Sequence, residues 1–383
     1  MLFIANRSFV LAHSRWKILS AFLKSGWSVV AACENDSRSK QLRDLGCEIQ
    51  RIPFPSGGIM IWRELWAFFR LAHTIREQQP DLVHSFNIRP IVMGNLLTRL
   101  LLGAEPIVIS TVTGMGYVAG GRSLTRFFVD KLYSVALGLG NLTIFQNNSD
   151  REEFCEWRIV SDQRSRVIVG SGVDTTRFVP ETRDRSKSLQ RVIYVGRLLW
   201  QKGFREFVEA ARAMKMVDDG ISFDVFGELA ENHPDGVPRS FLENCIGKGE
   251  INYHGFQETP EEIYQNADVL LFLSSYGEGV PRVVLEASAS GVVPVVRASG
   301  WVKDVIKSGE SGFVLGNCGT DHIVNLLTHL NENREELRRI SENARREMVS
   351  RFEEDEITVD YLNIYRSQGL EVLEDGWTDR KRA

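Results

Sequence analysis

The feature that most constrains the fold is an alternation of short, continuously apolar runs rich in β-branched residues with longer amphipathic stretches. In the first half the apolar runs fall at 2–5, 27–33, 48–52, 81–85, 106–111, 142–146 and 166–169. Helix-like segments such as 16–24, 62–78, 91–102 and 124–137 lie between them. Strands apolar on both faces and separated by helices predict a parallel sheet covered on both sides.

The alternation stops at 170–180, a stretch of glycines, polar residues and a proline, and in the charged 181–191. It restarts with runs at 192–195, 222–226, 251–253, 269–273, 292–296 and 313–315, with a helical tail at 321–367. The pattern predicts an α/β protein of two doubly wound, Rossmann-like parallel-sheet domains facing across a cleft. The expected boundaries are 1–170, a linker at 171–190 and 191–351, with a C-terminal helix at about 352–383 packing back on the first domain.

Composition is ordinary for a globular chain of 383 residues, at 43% hydrophobic and 25% charged. The net charge of −4 argues against binding nucleic acid through bulk charge. The balance is uneven: residues 1–180 carry 21 Lys+Arg against 15 Asp+Glu, and residues 181–383 carry 25 against 35. A basic first half fits either an anionic ligand or membrane surface on that side, or simply an uneven solvated surface. Cysteines at 33, 47, 155, 245 and 318 lack CxxC spacing, so neither a zinc site nor a disulfide scaffold is indicated, and they suit a reducing compartment. With no signal-like segment and no apolar run of the roughly 18 residues a spanning helix needs, the expected location is the cytoplasm. Peripheral contact with the inner face of the cytoplasmic membrane is compatible with it.

One segment does not fit a narrow helical stripe. Ile59, Ile61, Trp62, Leu65, Trp66, Phe68, Phe69 and Leu71 are too many apolar residues for one face. With Arg63 and Arg70 they suit an interfacial surface or a groove for a lipid-linked substrate; aromatic residues on a helix over a sheet are more often core.

The stretch that carries most chemistry runs from Leu273 through Glu278-Gly279-Val280-Pro281 to Glu286 and Gly291. A strand ends in a glycine-flanked turn, and Pro281 suits the first position of a new helix. Free N–H groups at that helix start, with Gly279 allowing close approach, would make an anion site at a strand's carboxyl end. Glu278 and Glu286 could then hold hydroxyl pairs at opposite ends of a sugar nucleotide, whereas either glutamate alone reads as solvated surface. A second stretch, Tyr194-Val195-Gly196-Arg197-Leu-Leu-Trp200-Gln-Lys202-Gly203, also joins a strand to a helix. Arg197 and Lys202 can reach one anion from this loop, Arg as a planar fork and Lys as a point charge.

Arg197 with Lys202 followed by Glu278-x7-Glu286 resembles the retaining GT-B glycosyltransferases of family 4. Gly172-Val-Asp174…Phe178-x-Pro180, Phe226-Gly227, His254-Gly255-Phe256 and Gly300…Asp304…Gly309-x-x-Gly312 extend the resemblance over most of the chain. Asp81-Leu-Val-His84-Ser and Thr111-Val-Thr113-Gly114-Met-Gly116-Tyr117 are similar to the branch that builds bacterial polysaccharides and glycan-lipid intermediates. The resemblance implies transfer of a hexose or N-acetylhexosamine from a nucleotide sugar, usually UDP-linked, to a polyprenyl-diphosphate-linked glycan. It implies that Arg197 and Lys202 bind the donor diphosphate, Glu286 the ribose, and Glu278 the transferred sugar. Gly279 and Val280 would meet phosphate or sugar through their backbone, and Gly227, His254 and Gly255 would border the nucleoside. In a same-face substitution the leaving phosphate takes the acceptor proton, so no protein base is needed.

Two positions depart from the family. Asn6-Arg7-Ser8-Phe9 stands where many relatives have a glycine-rich loop, and Thr113 where they often have a histidine. His13, Arg15 and His84, with Thr113 and Gly114, are the acceptor-side candidates. No Asp-x-Asp occurs, so the sequence suggests neither metal nor other cofactor, and cationic side chains would carry the diphosphate charge. A dehydrogenase would want GxGxxG after the first strand, which is missing. A sugar-nucleotide epimerase of similar architecture and a non-catalytic sugar-nucleotide binder are the alternatives.

Overall fold

The structure, a computed structural model, describes residues 1–55, 60–114, 124–181, 189–316 and 319–373. Ile59, positions 115–117 of the Thr111 motif, linker positions 182–188, Cys318 and the tail from 374 lie outside the described residues. The chain divides into two compact units. The first holds Met1–Gly172, Gly277–Val280 and the chain from Asp355 on; the second holds Val173–Tyr276 and Pro281–Glu354.

The first unit starts with β1 (Leu2–Arg7), α1 (Ser8–Ser14), α2 (Trp16–Lys24), β2 (Val30–Glu34), α3 (Ser39–Leu45) and β3 (Glu48–Arg51). Then come α4 (Ile61–Gln78), β4 (Leu82–Phe86), α5 (Ile88–Leu102), β5 (Ile107–Val112), α6 (Leu124–Gly138), β6 (Leu142–Phe145), α7 (Asn148–Glu156) and β7 (Ser165–Val167). All strands pair in parallel in the order β3-β2-β1-β4-β5-β6-β7. The order therefore reverses between β1 and β4, where such sheets open a ligand crevice at their carboxyl ends.

Strand geometry explains the unbroken apolar runs, because successive side chains leave on opposite faces and both faces are covered. Phe3 and Ala5 pack with Phe22, Tyr361 and Tyr365, whereas Leu2 and Ile4 pack with Ala67, Leu71 and Leu97.

The second unit runs β8 (Arg191–Val195), α8 (Phe204–Val217), β9 (Ser222–Phe226), α9 (Arg239–Gly247), β10 (Asn252–Gly255), α10 (Pro260–Ile263) and β11 (Val269–Phe272). It continues with α11 (Arg282–Ala289), β12 (Val293–Arg297), α12 (Val302–Val305), β13 (Phe313–Leu315), α13 (Thr320–Glu332) and α14 (Arg334–Arg351). Its parallel order, β10-β9-β8-β11-β12-β13, reverses between β8 and β11. The fold class read from the sequence is thus observed in both units. The last helix, α15 (Glu354–Ser367), sends Ile357, Tyr361, Leu362 and Tyr365 into the core of the first unit.

The aromatic segment resolves against a purely core role. In α4, Ala67, Leu71, Thr74 and Ile75 face the sheet, while Ile61, Trp62, Leu65, Trp66 and Phe69 face solvent.

Candidate functional site

In the second unit the carboxyl ends of three neighbouring strands finish in glycine: Gly196 after β8, Gly227 after β9 and Gly255 closing β10. Gly196 N–H donates to Phe226 O at 2.9 Å, Gly227 N–H to Gly255 O at 2.8 Å, and Tyr253 Oη to Gly227 O at 2.9 Å. Gly227 has φ +141, and a Cβ there would collide with the Gly196 carbonyl. The glycines let the three loops stack closely and keep the strand ends free of side chains.

The loop after β8 carries the cationic pair. Tyr194 Oη holds Arg197 O at 2.8 Å, leaving the Arg197 side chain exposed. Burial, together with the Arg197 charge, holds the His233 imidazole below its usual range, so that charge lies near His233. Lys202 closes a single 3₁₀ turn, Trp200–Lys202, and its stem lies along Gly196, 3.6 Å from where a Cβ would be. Asp235 pins this turn: its carbonyl accepts Trp200 N–H at 3.0 Å and its carboxylate accepts Gln201 N–H at 2.9 Å. Gly203, at φ +81, abuts Leu273, and Ser275 N–H donates to Gln201 O at 2.8 Å. The Lys202 loop is thereby stitched to the loop after β11, across the point where the strand order reverses.

Glu286 lies on α11 and is only 3% exposed. Tyr264 Oη donates to its Oε2 at 2.9 Å and Arg282 Nε to its Oε1 at 3.2 Å. Arg282 also faces Glu354 at 3.6 Å. Tyr264 and Arg282 fix the orientation of the Glu286 carboxylate. Neither Tyr264 nor Asp235 is signalled in the sequence: one reads as core, the other as an ordinary loop acid.

His254, at the end of β10, is held by its neighbours. Its ring is hydrogen-bonded to Asp224 and stacked on Phe226 at 4.6 Å, so the imidazole braces β9 and β10. Burial pushes the Asp224 carboxyl up, but hydrogen bonds from His254 and Ser222 and the Arg191 charge outweigh it and hold it below the usual range.

The glutamate motif divides between the units, with Glu278 in the first and Glu286 in the second. The Gly277–Val280 segment rests on the ends of β5 and β6. Gly279 N–H donates to Thr113 O at 3.0 Å, and a Cβ on Gly114, at φ +115, would run into Gly277, Glu278 and Gly279. The expectation that Gly279 offers its N–H to a phosphate is therefore corrected, since Thr113 takes that donor and both Gly279 and Val280 are buried. Pro281 is also not the first helical residue; it caps a helix that begins at Arg282. Thr113 Oγ1 accepts from Asn87 Nδ2 at 2.7 Å, and Asn87 takes φ +72, a strained value for a residue with a side chain.

Two acceptor-side candidates turn inward. His84 is fully buried, bonded to Tyr365 Oη at 2.7 Å and Thr111 Oγ1 at 2.8 Å. Arg15 is buried with its guanidinium over the Phe86 and Tyr361 rings, at 5.2 and 5.0 Å. Their positions on core-facing sides of β4 and of the α1–α2 junction explain the correction. His13 is half-buried on α1, stacked on Phe9 at 4.9 Å. Among the described residues no three His, Cys, Asp or Glu side chains gather as metal ligands.

Two doubly wound parallel sheets, one ending in a glycine-lined crevice with a cationic loop, define a two-domain α/β transferase of the GT-B class. The chain belongs to the family 4-like glycosyltransferases and is a glycosyltransferase: "Glycosyl transferase 4-like" matches residues 1–147 and "Glycosyl transferases group 1" matches residues 178–347. It is similar to the N,N'-diacetylbacillosaminyl-diphospho-undecaprenol alpha-1,3-N-acetylgalactosaminyltransferase of Campylobacter jejuni, 25% identical over 95% of this chain and 97% of the relative. It is also similar to the UDP-Gal:alpha-D-GlcNAc-diphosphoundecaprenol alpha-1,3-galactosyltransferase of Escherichia coli, 23% identical over 79% of each chain. Among solved structures, Anabaena HepE in complex with UDP and glucose shares the fold with a TM-score of 0.75 at 15% identity, over 96% of this chain and 99% of that one. Sucrose-phosphate synthase from Thermosynechococcus elongatus does so with a TM-score of 0.75 at 17% identity, over 96% and 98%.

Proposed function

We propose that this glycosyltransferase moves a hexose or N-acetylhexosamine from a UDP-sugar to a polyprenyl-diphosphate-linked glycan, with retention of configuration and without a metal, at the inner face of the cytoplasmic membrane. The observation that carries the reading is the Lys202 loop, fixed by Asp235, Gly203 and Ser275 beside three glycine-ended strands. Such a loop lets a diphosphate approach backbone and cation together. The acceptor class is supported by the two relatives, both named for diphosphoundecaprenol-linked acceptors. The donor class is supported by the named UDP-Gal donor of one relative and by UDP bound in a structural neighbour.

In this reading Arg197 and Lys202 take the growing negative charge as the bond from the sugar's anomeric carbon to the diphosphate oxygen breaks. The acceptor hydroxyl forms the new bond on the same face and passes its proton to the departing diphosphate. Glu286, oriented by Tyr264 and Arg282, receives the ribose hydroxyls, and Glu278 the hydroxyls of the moving sugar. Incubation of the purified chain with UDP-sugars, with and without a polyprenyl-diphosphate-linked sugar, tests this. Acceptor-dependent release of UDP, with the donor's anomeric configuration in the product by NMR, is expected. An inverted linkage overturns retention, and acceptor-independent conversion of the UDP-sugar to its epimer overturns transfer.

A further inference from the structure

Helix α4 carries a second apolar stripe besides the one that meets the sheet. At 100° per residue, positions i, i+3, i+4 and i+7 form one stripe, which in a globular helix faces the core. Here that stripe is Trp62, Leu65, Trp66 and Phe69, and these side chains are 84, 44, 55 and 66% exposed. The sheet is covered by the opposite side, Ala67, Leu71, Thr74 and Ile75. Two tryptophans and a phenylalanine held in water on one continuous face form a patch that soluble surfaces seldom leave uncovered.

The charges around the stripe narrow what covers it. Arg70, one residue past Phe69, and Arg76, near the end of the same helix, make no ion pair among the described residues. Arg63 reaches Glu34 only at 3.7 Å. The acids of the helix are already engaged, Glu64 with Arg89 at 3.0 Å and Glu77 with His73 at 3.5 Å. A second copy of the chain seated on this face would bring unpaired arginines near their own counterparts. Lipid phosphates would instead complement them, and tryptophan favours the headgroup boundary because its ring is apolar and its N–H polar. No helix among the described residues is long and apolar enough to cross a membrane.

We propose that α4 is an interfacial helix: the Trp62–Leu65–Trp66–Phe69 face enters the headgroup–acyl boundary of an anionic bilayer, with Arg63, Arg70 and Arg76 on lipid phosphates. This rests on the lipid-linked acceptor proposed above only for its purpose; the binding itself needs no acceptor. The test is co-sedimentation of the full chain with acceptor-free vesicles, either phosphatidylglycerol with phosphatidylcholine or phosphatidylcholine alone, at low and high salt. The wild type is expected to bind the anionic vesicles, more weakly at high salt. The triple variant Trp62→Ser/Trp66→Ser/Phe69→Ser is expected to bind at least tenfold more weakly with an unchanged thermal midpoint, because the side chains are exposed. Arg70→Glu/Arg76→Glu should remove the preference for anionic lipid. Wild type that stays in the supernatant, or a triple variant that sediments like wild type, overturns the proposal. So does a wild-type dimer that the triple variant converts to monomer. Transfer to a short-chain, water-soluble prenyl acceptor is followed in parallel. Its retention in the triple variant is expected, and its absence in wild-type protein that still binds vesicles counts against the transfer reading alone.

Discussion

The hydroxyl of Tyr264 donates to the Glu286 carboxylate at 2.9 Å inside the second unit, opposite the Arg282 guanidinium on the other oxygen. The pair fixes the orientation of the Glu286 carboxylate. A hydrogen bond to a charged group contributes about 1.5 kcal/mol or more, roughly a factor of ten in affinity. Tyr264→Phe is therefore expected to raise the KM for the sugar nucleotide about tenfold while changing kcat little. Steady-state kinetics separate the two, and an unaltered KM would remove Glu286 from the ribose.

Lys202 sits on a turn held by Asp235, Gly203 and Ser275, so the loop that carries it is preorganised. Lys202→Ala should lower kcat by ~100-fold, the scale of removing one preorganised charge-stabilising group. Because cations of the chain are assigned the diphosphate charge, EDTA should leave the wild-type rate intact. Loss of activity on chelation with rescue by Mg²⁺ defeats that assignment.

Gly114 allows the Glu278 segment to rest against Thr113. An alanine there meets both a backbone conformation unfavourable to side chains, costing about 1–3 kcal/mol, and a collision with Gly279. Gly114→Ala should depress kcat more than tenfold while the KM for UDP-sugar, read on the Lys202 side, changes little. Full activity would show that the segment seats independently of Gly114.

Burial, with Arg15 adding to it, holds the His84 imidazole well below its ordinary value, so the folded chain keeps it neutral. The unfolded chain binds the proton as pH falls through about 6.5, and the folded chain does not. Stability present above that pH is consequently lost as the solution is acidified. The thermal midpoint should fall on going from about pH 7.5 to about pH 5, and His84→Gln should flatten that slope. A slope unchanged in the variant would place the acid sensitivity elsewhere.

The fold was legible because a strand buried on both faces must be apolar throughout, as β1, β6, β11 and β12 are over most of their length, whereas the edge strands β3 and β10 are at least half polar. Strand ends were less so, since the ladder is decided by the neighbour; β2 begins at Val30 although the apolar run begins at Trp27. The cationic loop was legible because Arg197, Lys202 and Gly203 are contiguous. The partner of Glu286 was not, as Tyr264 lies 22 residues away and the two meet only in the folded unit. His84 and Arg15 misled because a polar residue in a strand or a helix junction does not announce which side it faces. The excess of apolar residues on α4 was legible as more than one stripe, but which of them meets the sheet was not, because spacing defines a stripe and not what lies against it.

The interior of the first unit is closed by α15, whose Tyr365 meets His84 across 281 residues of chain. Nascent polypeptide emerges at about 5–20 residues per second, so on the order of 15–60 s pass between synthesis of the two. Throughout that interval Phe3, Phe22 and their neighbours lack their last wall while the whole second unit is being made. The last helix made is thus the one that covers the first strand made, so removing α15 would bare apolar side chains near the opposite end of the chain.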